Sequence, residues 1–235
     1  MTTTDPATLK RAAAARALDF VQDGMKLGLG TGSTADLFLE LLAERAKGGL
    51  KIIGTPTSER TAAKSRQLNI PLADLDALGE LDLCIDGADE ADSDLALIKG
   101  GGGALLREKI VAASAKRMVV IADESKLVKK LGAFPVPVEV IPFGHATTKS
   151  RIAKAVAALG YGNLEPKLRM KDGAPYRTDN GNVIYDCPFA AIENVPALAA
   201  ALSPLTGVVE HGLFVNMASV LVLAGTNGIR VITRT

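Results

Sequence analysis

The stretch LDLCIDGADEAD (residues 81–92) ends an apolar run in four acids, Asp86, Asp89, Glu90 and Asp92. Carboxylates packed this closely repel one another, so a chain that keeps them must neutralise or use them. Two readings of these residues compete: Asp side chains closing turns or capping helices, and oxygen ligands for a divalent cation. Two glycine loops flank the acids. GLGTGSTA (28–35) carries three glycines followed by the hydroxyls of Ser33 and Thr34. Glycine lets a backbone approach an anion closely, and free N–H groups at a helix start favour negative charge. KGGGGALLREK (99–109) sets four consecutive glycines between Lys99 and a helical run holding Glu108. So many glycines are entropically costly, and close approach of the backbone to a ligand is the better reason for keeping them.

These residues need elements to hold them. TLKRAAAARALDFV reads as an Ala-rich helix, MKLGLG as a strand, and STADLFLELLAERAK as a helix with good capping residues. LKIIGTP reads as a strand, and SERTAAKSRQL as a helix capped by Ser58. LDLCIDG, LALIKG and RMVVIAD are further strands, and ALLREKIVAASAK is a helix. The apolar side of that last helix is marked by Leu106, Ile110 and Ala113, so spacing turns Glu108 away from it. Strands alternating with helices predict an α/β sheet covered on both faces. The texture changes at FPVPVEVIP (134–142), with three prolines in nine residues. Beyond it, KDGAP and DNGN are tight-turn signals for antiparallel hairpins. The expectation is a main domain of residues 1–133 plus 207–235, in which the apolar tail returns to the main sheet. Residues 134–206 are expected to form a smaller α+β unit.

The chain has 235 residues, 48% hydrophobic, with 27 Lys and Arg against 26 Asp and Glu. That is an ordinary globular composition with no basic patch, so no nucleic-acid partner is expected. No run of about 18 apolar residues is present, so no membrane partner is expected. Cys84 and Cys187 lie in apolar runs and read as buried thiols of a reducing, cytoplasmic compartment. A dinucleotide fingerprint fits GLGTGSTA poorly: the third glycine comes one residue early and no acid ends the next strand. His145 and His211 are far apart, with no cluster that suggests zinc or iron.

GLGTGSTA, TSERT (57–61), DGADE (86–90), KGGGGAL (99–105), REK (107–109) and ADESK (122–126) occur in order. Together with FPVPVEVIPFG, they make the chain resemble the ribose-5-phosphate isomerase A family over essentially its whole length. The resemblance implies a Rossmann-like domain with a small ferredoxin-like one, a homodimer or higher oligomer, and neither metal nor redox cofactor. It implies reversible conversion of D-ribose 5-phosphate to D-ribulose 5-phosphate. Carried over residue by residue, it makes Glu108 the general base and places Asp86, Asp89 and Lys99 at the catalytic centre. Substrate contacts fall to Thr31, Gly32, Ser33, Thr34, Gly87, Ala88, Gly100, Gly101, Gly102 and Lys126, with Lys10 reaching the phosphate. Ring opening of the furanose would need a second carboxylate, Asp86 or Asp89. Glu90 and Asp92 have no role that the sequence names. Two rival readings on similar scaffolds are a sugar-phosphate sensor domain and an acyl-CoA transferase with Glu108 as nucleophile.

Overall fold

The computed structural model describes residues 5–234. Its largest sheet has six strands, in spatial order Gly228–Thr233, Val220–Gly225, Met118–Asp123, Leu83–Asp86, Lys26–Leu29 and Ile53–Pro56. Every neighbouring pair is parallel except the edge strand Gly228–Thr233, which runs antiparallel to Val220–Gly225. The central strands are buried on both faces, as parallel strands require. Along Met118–Asp123 the alternation is visible residue by residue. Val119 and Ile121 join a core formed with Phe38, Leu39 and Leu42 of the helix Ser33–Lys47. Met118, Val120 and Ala122 enter a second core, with Val111 and Ala112 of the helix Leu105–Ala113. The α/β class expected from the alternating pattern is the class observed.

A second, antiparallel sheet has the order Val208–His211, Val136–Val140, Val183–Cys187 and Lys167–Leu168. Helices His145–Ala158 and Val195–Leu202 cover it, and its core includes Val138, Ile152, Val183, Leu198 and Leu202. In chain order this is β-α-β-β-α-β, the ferredoxin-like arrangement. The KDGAP signal behaves as its residues suggest, with Asp172 at φ 51° and Gly173 at φ 81° between short paired strands.

Two placements differ from expectation. The return to the main sheet begins at Val220 and not at residue 207, because Val208–His211 pairs with Val136–Val140 as the fourth strand of the small sheet. Its half-buried sequence merges into the apolar tail, so nothing local marks the change of sheet. LALIKG also stays outside the parallel sheet. Leu97–Ile98 pairs with Glu90–Ala91 and with Leu213–Phe214 in a separate three-stranded sheet between the two larger ones.

Candidate active site

Ligands of open α/β sheets bind outside the carboxyl ends of the strands. Three loops meet there. The strand Lys26–Leu29 delivers Thr31 to Thr34, Leu83–Asp86 delivers residues 87–89, and Met118–Asp123 leads into the turn Glu124–Lys126. Gly30 is required by crowding, because a Cβ there would collide with the Asp86 carboxylate. Asp86 Oδ1 in turn accepts the N–H groups of Thr31 at 3.0 Å and Gly87 at 2.7 Å, joining two of the loops. Gly32, at φ 120°, opens the helix Ser33–Lys47, whose first N–H groups have no intrahelical acceptor. The TSERT segment supports this loop from beneath. Thr31 Oγ1 lies 2.7 to 2.9 Å from the hydroxyls of Thr57, Ser58 and Thr61. Ser58 also caps its helix by accepting Thr61 N–H.

The four-glycine loop closes the opposite wall. Gly101 N–H donates to Asp89 Oδ2 at 2.7 Å, and a Cβ on Gly101 would fall 2.6 Å from the other Asp89 oxygen. The small unit supports the loop from outside: Arg169 Nη1 donates to the carbonyls of Gly100 at 2.8 Å and Gly101 at 3.2 Å. The resulting cavity, about 150 Å³, is lined by Lys10, Thr31, Gly32, Ser33, Thr34, Gly87, Ala88, Asp89, Lys99, Gly100, Gly101, Gly102, Glu108 and Lys126. Lys10 reaches it from the helix Pro6–Ala17, its Nζ donating to Ser33 Oγ at 3.0 Å.

Asp86 is the one sequence-selected residue outside that lining. It has no exposed surface and stands behind Lys99, whose Nζ is 2.9 Å from Asp86 Oδ2. The tight turn at Gly87 buries Asp86, the last strand residue, behind the wall, and Asp89 lines the cavity. Lys99 Nζ also donates to the Gly87 carbonyl at 2.6 Å and lies 3.4 Å from Glu108 Oε1. Burial works to lower the Lys99 pKa, but the charges of Asp86 and Glu108 outweigh it and hold the ammonium above its ordinary value. Burial pushes Asp86 upward against the pull of Lys99 and two backbone donors. Glu108 is raised to about 8, chiefly by burial, with Lys99 opposing and Asp86 and Asp89 reinforcing. Its Oε2 has no hydrogen-bond partner among the described residues. A half-satisfied buried carboxyl beside a cavity costs stability and is a mark of a functional site.

Glu108 belongs to the buried face of its helix, with Leu105, Val111 and Ala112, while Ile110 is 48% exposed. The apolar face read from Leu106, Ile110 and Ala113 is thus the wrong one. Hydrophobicity cannot reveal a buried acid whose partner, Lys99, comes from another segment. The four acids of the opening stretch diverge. Glu90 turns away and accepts Gly132 N–H at 2.7 Å and Phe134 N–H at 2.6 Å, anchoring the link into the small unit. Asp92 closes a turn by accepting Asp94 N–H at 3.0 Å and Ala96 N–H at 2.9 Å. Among the described residues, no three His, Cys, Asp or Glu side chains are arranged to hold a metal ion. His145 meets the Tyr185 hydroxyl at 2.7 Å, and burial pushes His211 down to about 4, leaving it neutral.

The sequence model of ribose 5-phosphate isomerase A (phosphoriboisomerase A) matches residues 53–228. The chain belongs to that family. A ribose-5-phosphate isomerase A from Rhodopseudomonas palustris (strain TIE-1) is 59% identical over 231 residues, covering 98% of this chain and 99% of the relative. One from Nitrobacter hamburgensis is 57% identical over 226 residues, covering 96% and 97%. The solved ribose 5-phosphate isomerase of Plasmodium falciparum superposes with a TM-score of 0.92 at 39% identity, covering 97% of this chain and 98% of that one. A D-ribose-5-phosphate isomerase solved in complex with phospho-erythronic acid superposes with a TM-score of 0.91 at 37% identity, covering 98% and 100%. No helix among the described residues is long and apolar enough to cross a membrane.

Proposed function

We propose that this chain interconverts D-ribose 5-phosphate and D-ribulose 5-phosphate through an enediol, in the non-oxidative branch of the pentose phosphate pathway. The observation that carries the reading is the Glu108 carboxyl on the cavity wall, 3.4 Å from a buried lysine ammonium. Glu108 takes the proton from C2 of the open-chain aldose. The C2–H electron pair becomes the C1=C2 bond, and the carbonyl oxygen on C1 gathers negative charge. Lys99 opposes that charge from a fixed, dehydrated position, where electrostatic stabilisation is strongest. Return of the proton to C1, with transfer of the O2 proton to O1, completes the ketose. Asp89 faces the cavity and is assigned to ring opening, while Asp86 orients Lys99. Lys10, Lys126 and the helix start at Ser33 and Thr34 receive the phosphate, whose binding energy positions the sugar. Gly32, Gly87, Ala88 and Gly100 to Gly102 complete the wall. A phosphorylated polyhydroxy acid in the related isomerase supports a site of this kind.

The reading includes a Rossmann-like catalytic domain, a small lid and dimerisation domain, a cytoplasmic homodimer, and no nucleic-acid partner. It assigns no metal or cofactor to the reaction. The test is purified protein, EDTA and ribose 5-phosphate. Ketose should form, and Glu108→Gln should lower kcat by about 10² to 10⁴-fold with substrate still bound, the range for loss of a general base. Glu108→Gln activity above roughly a tenth of the parent would remove Glu108 as the base.

A further inference from the structure

Glu108 sits between two cations in the REK motif, and both grip the small unit. On one side, Arg107 Nε donates to Asn180 Oδ1 at 3.1 Å and Arg107 Nη2 to the Asp179 carbonyl at 3.4 Å. Arg107 Nη1 also meets Glu59 at 2.7 Å, and the Asp179 carboxylate accepts Glu59 N–H at 2.9 Å. The turn holding Asp179 and Asn180 is itself fixed from within: buried Glu139 Oε1 accepts Thr178 Oγ1 and Asn182 Nδ2, each at 2.9 Å. On the other side, Lys109 Nζ donates to Glu210 Oε1 at 2.7 Å and to the His211 carbonyl at 2.6 Å, on the fourth strand of the small sheet. Lys109 also lies over the Phe214 ring at 4.9 Å, with Lys99 over the same ring at 5.5 Å.

We infer that Arg107 and Lys109 are positioning residues, which fix the Glu108 carboxyl against the reacting carbons by clamping its helix to the small unit on both flanks. The inference rests on the reading of Glu108 as the base. The raised pKa of Glu108 comes chiefly from burial, with Lys99 opposing and Asp86 and Asp89 reinforcing. The clamp acts through geometry. A displacement of about 1 Å at a reacting group costs up to about 10²-fold in rate, and two opposed grips restrict both rotation and sliding of the short helix Leu105–Ala113.

The test compares Arg107→Ala, Asn180→Ala, the double variant and Glu210→Gln with the parent protein, using ribose 5-phosphate and its C2-deuterated form. Each single variant should lower kcat about tenfold, as expected for misplacement short of removal. KM should stay within about twofold and the deuterium isotope effect on kcat should rise, because proton abstraction becomes slower relative to binding and release. The Arg107→Ala and Asn180→Ala losses should not add, because the two residues form one contact. The pH at which kcat/KM rises should not move. Unchanged kcat and isotope effect per folded molecule would overturn the clamp, as would a loss confined to KM. Glu108→Gln run alongside separates the two ideas. If Glu108→Gln is inactive while the clamp variants match the parent, only the clamp falls. If Glu108→Gln stays active, the base assignment falls and the clamp falls with it.

Discussion

At the scale of single residues, the site is a problem of proton ownership. Glu108, Asp86 and Lys99 share one dehydrated space, with the ammonium 2.9 Å from Asp86 and 3.4 Å from Glu108. A base must be ionised to accept a proton, and burial holds the Glu108 pKa at about 8 against an ordinary 4.5. The free enzyme's kcat/KM should therefore climb with pH along a limb whose midpoint lies near that value. The midpoint belongs to the coupled cluster as a whole. A pH–rate profile checks this, and a limb centred near the ordinary carboxyl value would contradict it. The same shift has a stability consequence of opposite sense. The folded state retains a proton that the unfolded chain releases, so this contribution is full below the unfolded pKa and lost as pH rises through the folded one. Glu108→Gln removes the penalty, so the variant should melt a few degrees above the parent, about 2 to 4 °C per kcal/mol for a chain of this size. Its advantage should widen from about pH 6 to about pH 9. A thermal melt at each pH is the measurement, and a constant or shrinking gap would show that folding does not raise the Glu108 pKa.

At the scale of elements, loops bring the chemistry together and strands only aim them. Gly101 does not adopt the positive φ that favours glycine, yet a Cβ there would press on Asp89 at 2.6 Å and on Phe134 at 3.0 Å. Gly101→Ala should displace the Asp89 carboxylate and lower kcat/KM about tenfold, while the small stability cost, about 1 to 3 kcal/mol for overpacking, leaves the protein folded. Steady-state rates and a melt together check this, and an undisturbed kcat/KM would mean that the loop yields freely. Much of this arrangement is legible in sequence. Glycine runs, capping Ser58 and the acidic strand end are local signals for the loops of the cavity wall, whereas Lys10, Glu108 and Lys126 are placed there only by the family resemblance. What sequence hides is direction. Asp86 and Asp89 are three positions apart in the same motif, and only the turn at Gly87 decides which is buried and which faces the cavity. The buried face of Leu105–Ala113 was hidden for the same reason, since Glu108 is tolerated inside only because Lys99 arrives from another segment. Val208–His211 was misplaced because the choice of sheet is made by a partner strand about seventy residues upstream.

At the scale of the whole molecule, the small unit forms one wall's outer support, so its seating and the shape of the cavity are a single question. Arg169 joins them on the glycine side. Its guanidinium takes both oxygens of Asp186, at 2.9 and 2.5 Å, and spends a remaining donor on the carbonyls of Gly100 and Gly101. A planar fork can serve a carboxylate and a loop at once, whereas a lysine offers one charged point. The Asp186 bond orients the guanidinium, and the oriented guanidinium holds the loop. Removing it leaves a carboxylate with 22% side-chain exposure unpaired and two loop carbonyls without their donor. Lost hydrogen bonds to a charged group are worth about 1.5 to 3 kcal/mol, and part of that loss should appear in the loop, as weaker sugar binding. Arg169→Ala should raise KM for ribose 5-phosphate by about five- to tenfold, the equivalent of about 1 to 1.4 kcal/mol, with a smaller change in kcat. Arg169→Lys should recover little of it, because the fork geometry and not the charge carries the contact. Steady-state kinetics on both variants decide the matter: a full rescue by lysine, or a loss confined to kcat, would show that Arg169 does not act by holding the loop.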